Sequence, residues 1–148
     1  RRISHGATRL QEILADRVAA RHFGPAAFQE GLTHVIRRSV EFDHLAGSEI
    51  NAAVQAQRSL VNLYKLQVST DEVNRLVEEQ VQEVLQRATT EDDTHPAPQE
   101  RFALVQNVRC INATPATGEV WDLFENPAQL TEEMSQSIGR DLNLPNAA

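Results

Sequence analysis

A chain of 148 residues with 41% apolar and 24% charged side chains is long enough to bury a core and polar enough to fold in water. No apolar run approaches the ~20 residues that cross a bilayer, and no short apolar stretch follows the N-terminal arginines as a secretion signal would, so a cytoplasmic setting is expected. The single cysteine, Cys110, excludes an internal disulfide.

The opening "RRISHGATRL" lacks a methionine and reads as the edge of a domain within a larger protein. Residues 1–68 carry nine Arg/Lys and six Asp/Glu, whereas residues 69–148 carry five and fifteen, so the net −7 divides into +3 and −10. A basic half and an acidic half are most simply explained by packing on each other, in one molecule or between two.

Leu10, Ile13, Leu14 and Val18 recur at helical spacing and predict a helix over 7–22, closed by Gly24, with Pro25 in the first turn of the next. That second helix, over 25–43, carries Phe28, Leu32, Val35, Ile36 and Val40 and stops at Gly47, with Ser48 as the following cap. A third helix over 49–67 is predicted from Ile50, Val54, Val61, Tyr64 and Val68, broadened by Leu60 and Leu63. Ser69 and Glu72 form a capping-box pair ahead of a fourth helix, which carries Val73, Leu76, Val77, Val81, Val84 and Leu85 to about residue 88. The junction at 67–70 holds neither Gly nor Pro, so one bent helix is the alternative there. Short connections predict an up-down four-helix bundle over 1–88.

Residues 89–100, "TTEDDTHPAPQE", combine three consecutive acids with two prolines and read as a linker. Beyond it, Phe102, Leu104, Val108 and Cys110 alternate, and "GEVWDLF" follows the turn-like "NATPATG", which predicts a hairpin with strands over 101–111 and 119–124. Asn126-Pro127 opens a last helix with Leu130, Met134, Ile138 and Leu142 at four-residue intervals. The fold expected is therefore mainly α: a helical bundle over 1–88, the linker, and a small α/β unit of hairpin plus helix over 101–148.

The chemistry is sparse. Glu41 and His44 stand three apart, as in half of a carboxylate-bridged di-iron site, but such a site needs a second Glu-x-x-His and two further glutamates. Glu41 falls in register with Glu30, His34, Arg37 and Arg38, opposite Phe28, Leu32 and Val40, which is the solvated side of the helix. His5, His22, His34 and His95 have no zinc spacing, and neither a nucleophile elbow nor a phosphate loop is present. Cys110 beside Val108 reads as an inert, buried thiol. The sequon Asn112-Ala113-Thr114 reads as a chance match. No catalytic residue, metal or cofactor is expected.

Two functional classes remain. A lone hairpin is marginal in water, so the C-terminal unit must lean on another surface, and Val120, Trp121 and Phe124 are its candidate contact residues. The chain then acts as a protein-interaction or assembly module, through self-association or a protein partner. The alternative is a DNA-associated accessory domain, in which Arg17, Arg21, Arg37 and Arg38, with Arg1, Arg2, Arg9 and Arg58, present a phosphate-facing surface. Against it, the apolar period from Phe28 to Val40 runs through Gly31, where a helix-turn-helix would turn, and the chain as a whole is acidic.

Overall fold

The computed structural model describes residues 2–68, 70–91, 93, 95–111 and 118–145, with side chains from Gly6 onward. It is mainly helical, and no strand occurs among the described residues. Among those residues five α-helices follow in order: α1 (Arg2–Phe23), α2 (Pro25–Ala56), α3 (Asp71–Gln86), α4 (Pro98–Val105) and α5 (Pro127–Asp141). Two compact units divide the chain, one from 1–37 and 78–116, the other from 38–77 and 117–148. Each takes residues from both sides of the 89–100 stretch, and α2 and α3 contribute to both.

In the first unit, α1 ends where Gly24 takes φ +92°, a backbone value that favours glycine. Its amide donates to Ala20 O at 2.9 Å, and Pro25 begins α2 where a missing N–H costs nothing. The next carbonyls of α1 find donors in a distant segment: Ile111 N–H reaches Arg21 O at 2.8 Å, and the Cys110 thiol reaches His22 O at 3.6 Å. Cys110 is thus half-buried over a helix end and does not lie on a strand.

α1 also packs on α4, and its inward side is not the predicted one. Leu10, Leu14 and Val18 are exposed, whereas Asp16 and Ala20 are buried. Asp16 receives both Arg101 Nε and Nη2 at 2.7 Å, and the Arg101 guanidinium lies 5.9 Å from the Phe28 ring centroid. Glu12 pairs with His95, and Arg9 donates to the carbonyls of Thr90 (2.7 Å) and Asp93 (Nε, 2.9 Å). With Ala97 N–H held by Thr89 Oγ1 at 2.6 Å and Pro96 buried, the acidic proline stretch is anchored at its described positions.

The strand predicted over 101–111 is corrected here, because residues 98–105 are helical. Pro98 occupies the first turn, and helical spacing brings Arg101 and Val105 to one side, where Arg101 meets Asp16 and Val105 is fully buried. A short alternating run is compatible with either period, and in the helix Arg101 reaches Asp16 of α1.

In the second unit, α2 runs past Gly47 and Ser48 to Ala56, which corrects the stop predicted there and the separate helix over 49–67. A glycine inside a helix costs about 1 kcal/mol, less than the continuous burial of Phe42, Ala46, Ile50 and Ala53 returns. Residues 2–88 consequently hold three α-helices where four were expected, and the predicted up-down bundle is not formed from four elements.

The stop comes at Gln57, in the left-handed region at φ +47°. Gln57 N–H bonds Val54 O at 3.3 Å and Arg58 N–H bonds Ala53 O at 3.1 Å, the pattern of a Schellman cap. Glu49 fastens this turn, accepting Arg58 Nη1 and Nη2 at 2.6 and 2.7 Å and Val61 N–H at 3.1 Å. The Arg58 guanidinium holds the Glu49 carboxyl below its ordinary value. The break between the expected third and fourth helices therefore lies at 57, not at 67–70, and one bent helix is excluded. Ser69 of the expected capping box lies outside the described residues.

The segment after Gln57 brings Leu60 and Leu63 into the core with Ala46, Ala53 and Leu144, around which Phe42, Ile50, Tyr64, Leu66 and Ile138 pack. The Phe42 and Tyr64 rings stand 5.1 Å apart. α5 meets this segment mainly with Thr131, Ser135 and Gly139; of the predicted stripe Ile138 packs against the core, whereas Met134 and Leu142 are exposed. Asn62 Nδ2 donates to Thr131 Oγ1 and Leu63 N–H donates to Ser135 Oγ, each at 3.0 Å. A Cβ on Gly139 would stand 3.7 Å from Leu60 Cδ1. An irregular segment has backbone donors to satisfy, so small and hydroxyl side chains dock it better than leucines do. α5 begins as predicted, with Asn126 Oδ1 capping Gln129 N–H at 3.2 Å ahead of Pro127. It ends in a second Schellman pattern at Asn143, φ +57°, which places Leu144 in the core.

Candidate functional site

The second predicted strand, 119–124, is a short 3₁₀ turn over Val120–Leu123. Its shape follows from two acids three apart. Glu119 N–H donates to Asp122 Oδ2 at 2.9 Å, Asp122 N–H returns to Glu119 O at 3.0 Å, and Phe124 N–H closes on Trp121 O at 3.1 Å. The side chain of Asp122 thereby takes a backbone donor that a strand would have offered to a neighbour. The Glu119-to-Asp122 spacing was the signal in the sequence for a turn. Gly118 precedes it at φ +105°, where a Cβ would also come within 3.2 Å of Asp122 Oδ2. The turn-like stretch 112–117, with Asn112 and its sequon, lies outside the described residues.

Because the segment is a turn, its apolar side chains are not divided between two faces of a sheet. Val120 is 62% exposed, Trp121 40%, Phe124 45%, and Leu123, which sequence reasoning did not single out, 81%. The Trp121 and Phe124 rings stand 5.8 Å apart at an interplanar angle of 49°, a tilted aromatic pair. Glu119, Asp122 and Glu125 share this stretch, in which no base occurs between 118 and 126. The segment thus combines four exposed apolar side chains with three acids in seven residues.

The arginines of the DNA reading are spread over partners within the fold. Arg37 pairs with Glu78, Arg38 with Glu41, Arg58 with Glu49, and Arg9 with backbone carbonyls. Arg17 donates to Leu104 O at 3.3 Å, and Arg21 is exposed on α1. A guanidinium bound to a carboxylate has little net charge to offer a phosphate. The side chains of Arg1 and Arg2 lie outside the described residues. Glu41 is engaged by Arg38 while His44 is exposed, and among the described residues no three His, Cys, Asp or Glu side chains converge as metal ligands. No helix among them is long and apolar enough to cross a membrane.

A cleft of about 240 Å³ lies in the first unit, lined by Val84, Arg87, Asp93, His95, Pro96, Ala97 and Pro98. Its charges are engaged with neighbours: Arg87 with Asp93, His95 with Glu12. Asp93 accepts Thr90 N–H at 2.7 Å and Thr90 Oγ1 at 2.9 Å, and these bonds, with Arg87, lower its carboxyl from 3.8 to about 2. A carboxyl depressed on folding stabilises above its ordinary value and loses that contribution as pH falls through the folded one. The thermal midpoint of the first unit is therefore expected to fall as pH drops from 3.8 toward about 2. Circular-dichroism melts of Asp93→Asn should show a shallower fall over that window, and an unchanged slope would remove Asp93 from the account.

Comparison of the chain with models of protein families, with curated proteins and with solved structures found no match.

Proposed function

We propose that the chain is a non-enzymatic protein-interaction or assembly module, and that Val120, Trp121 and Phe124, joined by Leu123, make the contact. One observation carries this reading: four large apolar side chains stand exposed on a single five-residue turn braced by its own hydrogen bonds. Exposed apolar groups scattered singly are ordinary, but a preformed cluster that includes a tryptophan is how interfaces concentrate their binding energy. Aromatic anchors held in place before binding lose little entropy on binding.

The test is a comparison of chemically cross-linked complexes recovered from the native cell with the intact protein and with Trp121→Ala/Phe124→Ala. The variant is expected to lose its specific complexes while keeping its helical circular-dichroism spectrum. A set of complexes unchanged by the double substitution would remove the basis of the reading.

A further inference from the structure

The turn over 119–125 presents exposed apolar groups in a stretch whose only charges are the acids Glu119, Asp122 and Glu125, so its natural counterpart is an apolar strip that carries bases. α1 carries one. Leu10 is 68% exposed and Leu14 64% exposed, Val18 follows one turn on, and Leu104 of α4 is exposed close by, its carbonyl held by Arg17. The strip is flanked by Arg17 and Arg21, both exposed. The acids of α1, Glu12 and Asp16, sit on the other side of the helix, committed to His95 and Arg101. This is why the strip is uncovered: α1 spends its polar side on α4 and the 89–97 stretch, and its leucines are left outward.

Resting on the interaction reading above, we infer that the partner is a second copy of this chain, with the turn over 119–125 of one copy docking on the Leu10–Leu14–Val18 strip of another. Charge complementarity chooses the occupant. Glu119, Asp122 and Glu125 of one molecule face Arg17 and Arg21 of the next around an apolar centre, the arrangement in which rim charges set the register and apolar groups supply the affinity. The pairing follows the uneven charge of the sequence, +3 over residues 1–68 against −10 over 69–148, in that its bases come from the first half and its acids from the second. The contact is heterologous: the two surfaces differ, and each copy carries one of each.

Trp121 is the only tryptophan, so its fluorescence reports the docked state directly. Sedimentation and Trp121 emission of the full chain are measured against protein concentration, at low and high salt, for the natural sequence, for Val120→Glu/Leu123→Glu and for Leu10→Glu/Leu14→Glu. All four positions are exposed, so the helical content should be retained. Arg17→Glu/Arg21→Glu serves as a second α1 variant that leaves the apolar strip in place.

The natural chain is expected to associate with a blue shift of Trp121, more weakly as salt rises. Each double variant should weaken association at least about tenfold. Mixing the Val120/Leu123 variant with the Leu10/Leu14 variant should restore it, because each supplies the surface the other lacks. A chain that stays monomeric at every concentration, with Trp121 open to iodide quenching, overturns the inference. Association that survives both α1 variants but not the Val120/Leu123 variant overturns the α1 assignment and leaves the turn as the contact. Association that survives the Val120/Leu123 variant overturns the reading of the turn itself.

Discussion

Arg101→Ala is expected to destabilise the first unit by about 3 kcal/mol, the lower end of what removal of one partner from a buried ion pair costs. The side chain of Asp16 is 6% exposed and receives both of its hydrogen bonds from Arg101 at 2.7 Å. Alanine at 101 leaves that carboxylate desolvated and unpaired. It also removes the guanidinium from the face of Phe28 and one of the links from α4 to α1, leaving that of Arg17 to Leu104 O. Arg101→Lys should recover only part of the loss, since an ammonium cannot supply two parallel donors to one carboxylate.

Urea titrations followed by circular dichroism would give the midpoints. The Asp16→Ala/Arg101→Ala double variant is expected to be less destabilised than the sum of the single ones, because the second substitution removes the group that the first left unpaired. A midpoint for Arg101→Ala equal to that of the natural chain would mean that α1 and α4 are held by something other than this pair.

Leu63→Ala is expected to cost the second unit about 3 kcal/mol, within the range for truncating a buried leucine. Leu63 is 2% exposed, belongs to the central cluster with Ala46, Ala53, Leu60 and Leu144, and sits in the segment whose amide is fixed by Ser135 Oγ. Its neighbours cannot easily collapse into the space, since the segment is pinned at Asn62 to Thr131 and at Leu63 to Ser135. Leu123→Ala is the internal comparison: the same substitution at an 81% exposed position should move the midpoint by less than about 0.5 kcal/mol. Equal effects at 63 and 123 would contradict the assignment of core and surface.

What could be read along the chain was what neighbouring residues decide among themselves. The mainly helical class, the end of α1 at Gly24 with Pro25 opening α2, the span of α3 and the Asn126-Pro127 start of α5 all rest on local periodicity and on caps that close within a few residues. Val120, Trp121 and Phe124 stand out in the sequence as apolar residues, and the structure places them on a turn and not on the expected strand.

What only the tertiary structure decided was which side of α1 and of α5 faces inward and where the chain turns when no glycine requires it; α3 buries Val77 and Val81 of its predicted stripe. α1 buries Asp16 because Arg101, 85 residues later, neutralises it, and the leucines that periodicity assigns to a core are left outside. α5 buries Thr131, Ser135 and Gly139 because its partner is an irregular segment with amides to satisfy. α2 passes Gly47 because Ala46, Ile50 and Ala53 are covered on both sides of it, and stops at Gln57 because Glu49 and Arg58 hold the reversal. For α1 and α5 the deciding energy comes from a group 69 to 85 residues away, and at Gln57 from one nine residues away: a charge compensated, a donor satisfied or a turn held. Hydrophobic pattern records none of these, because it registers the polarity of a side chain and not the partner that makes its burial favourable.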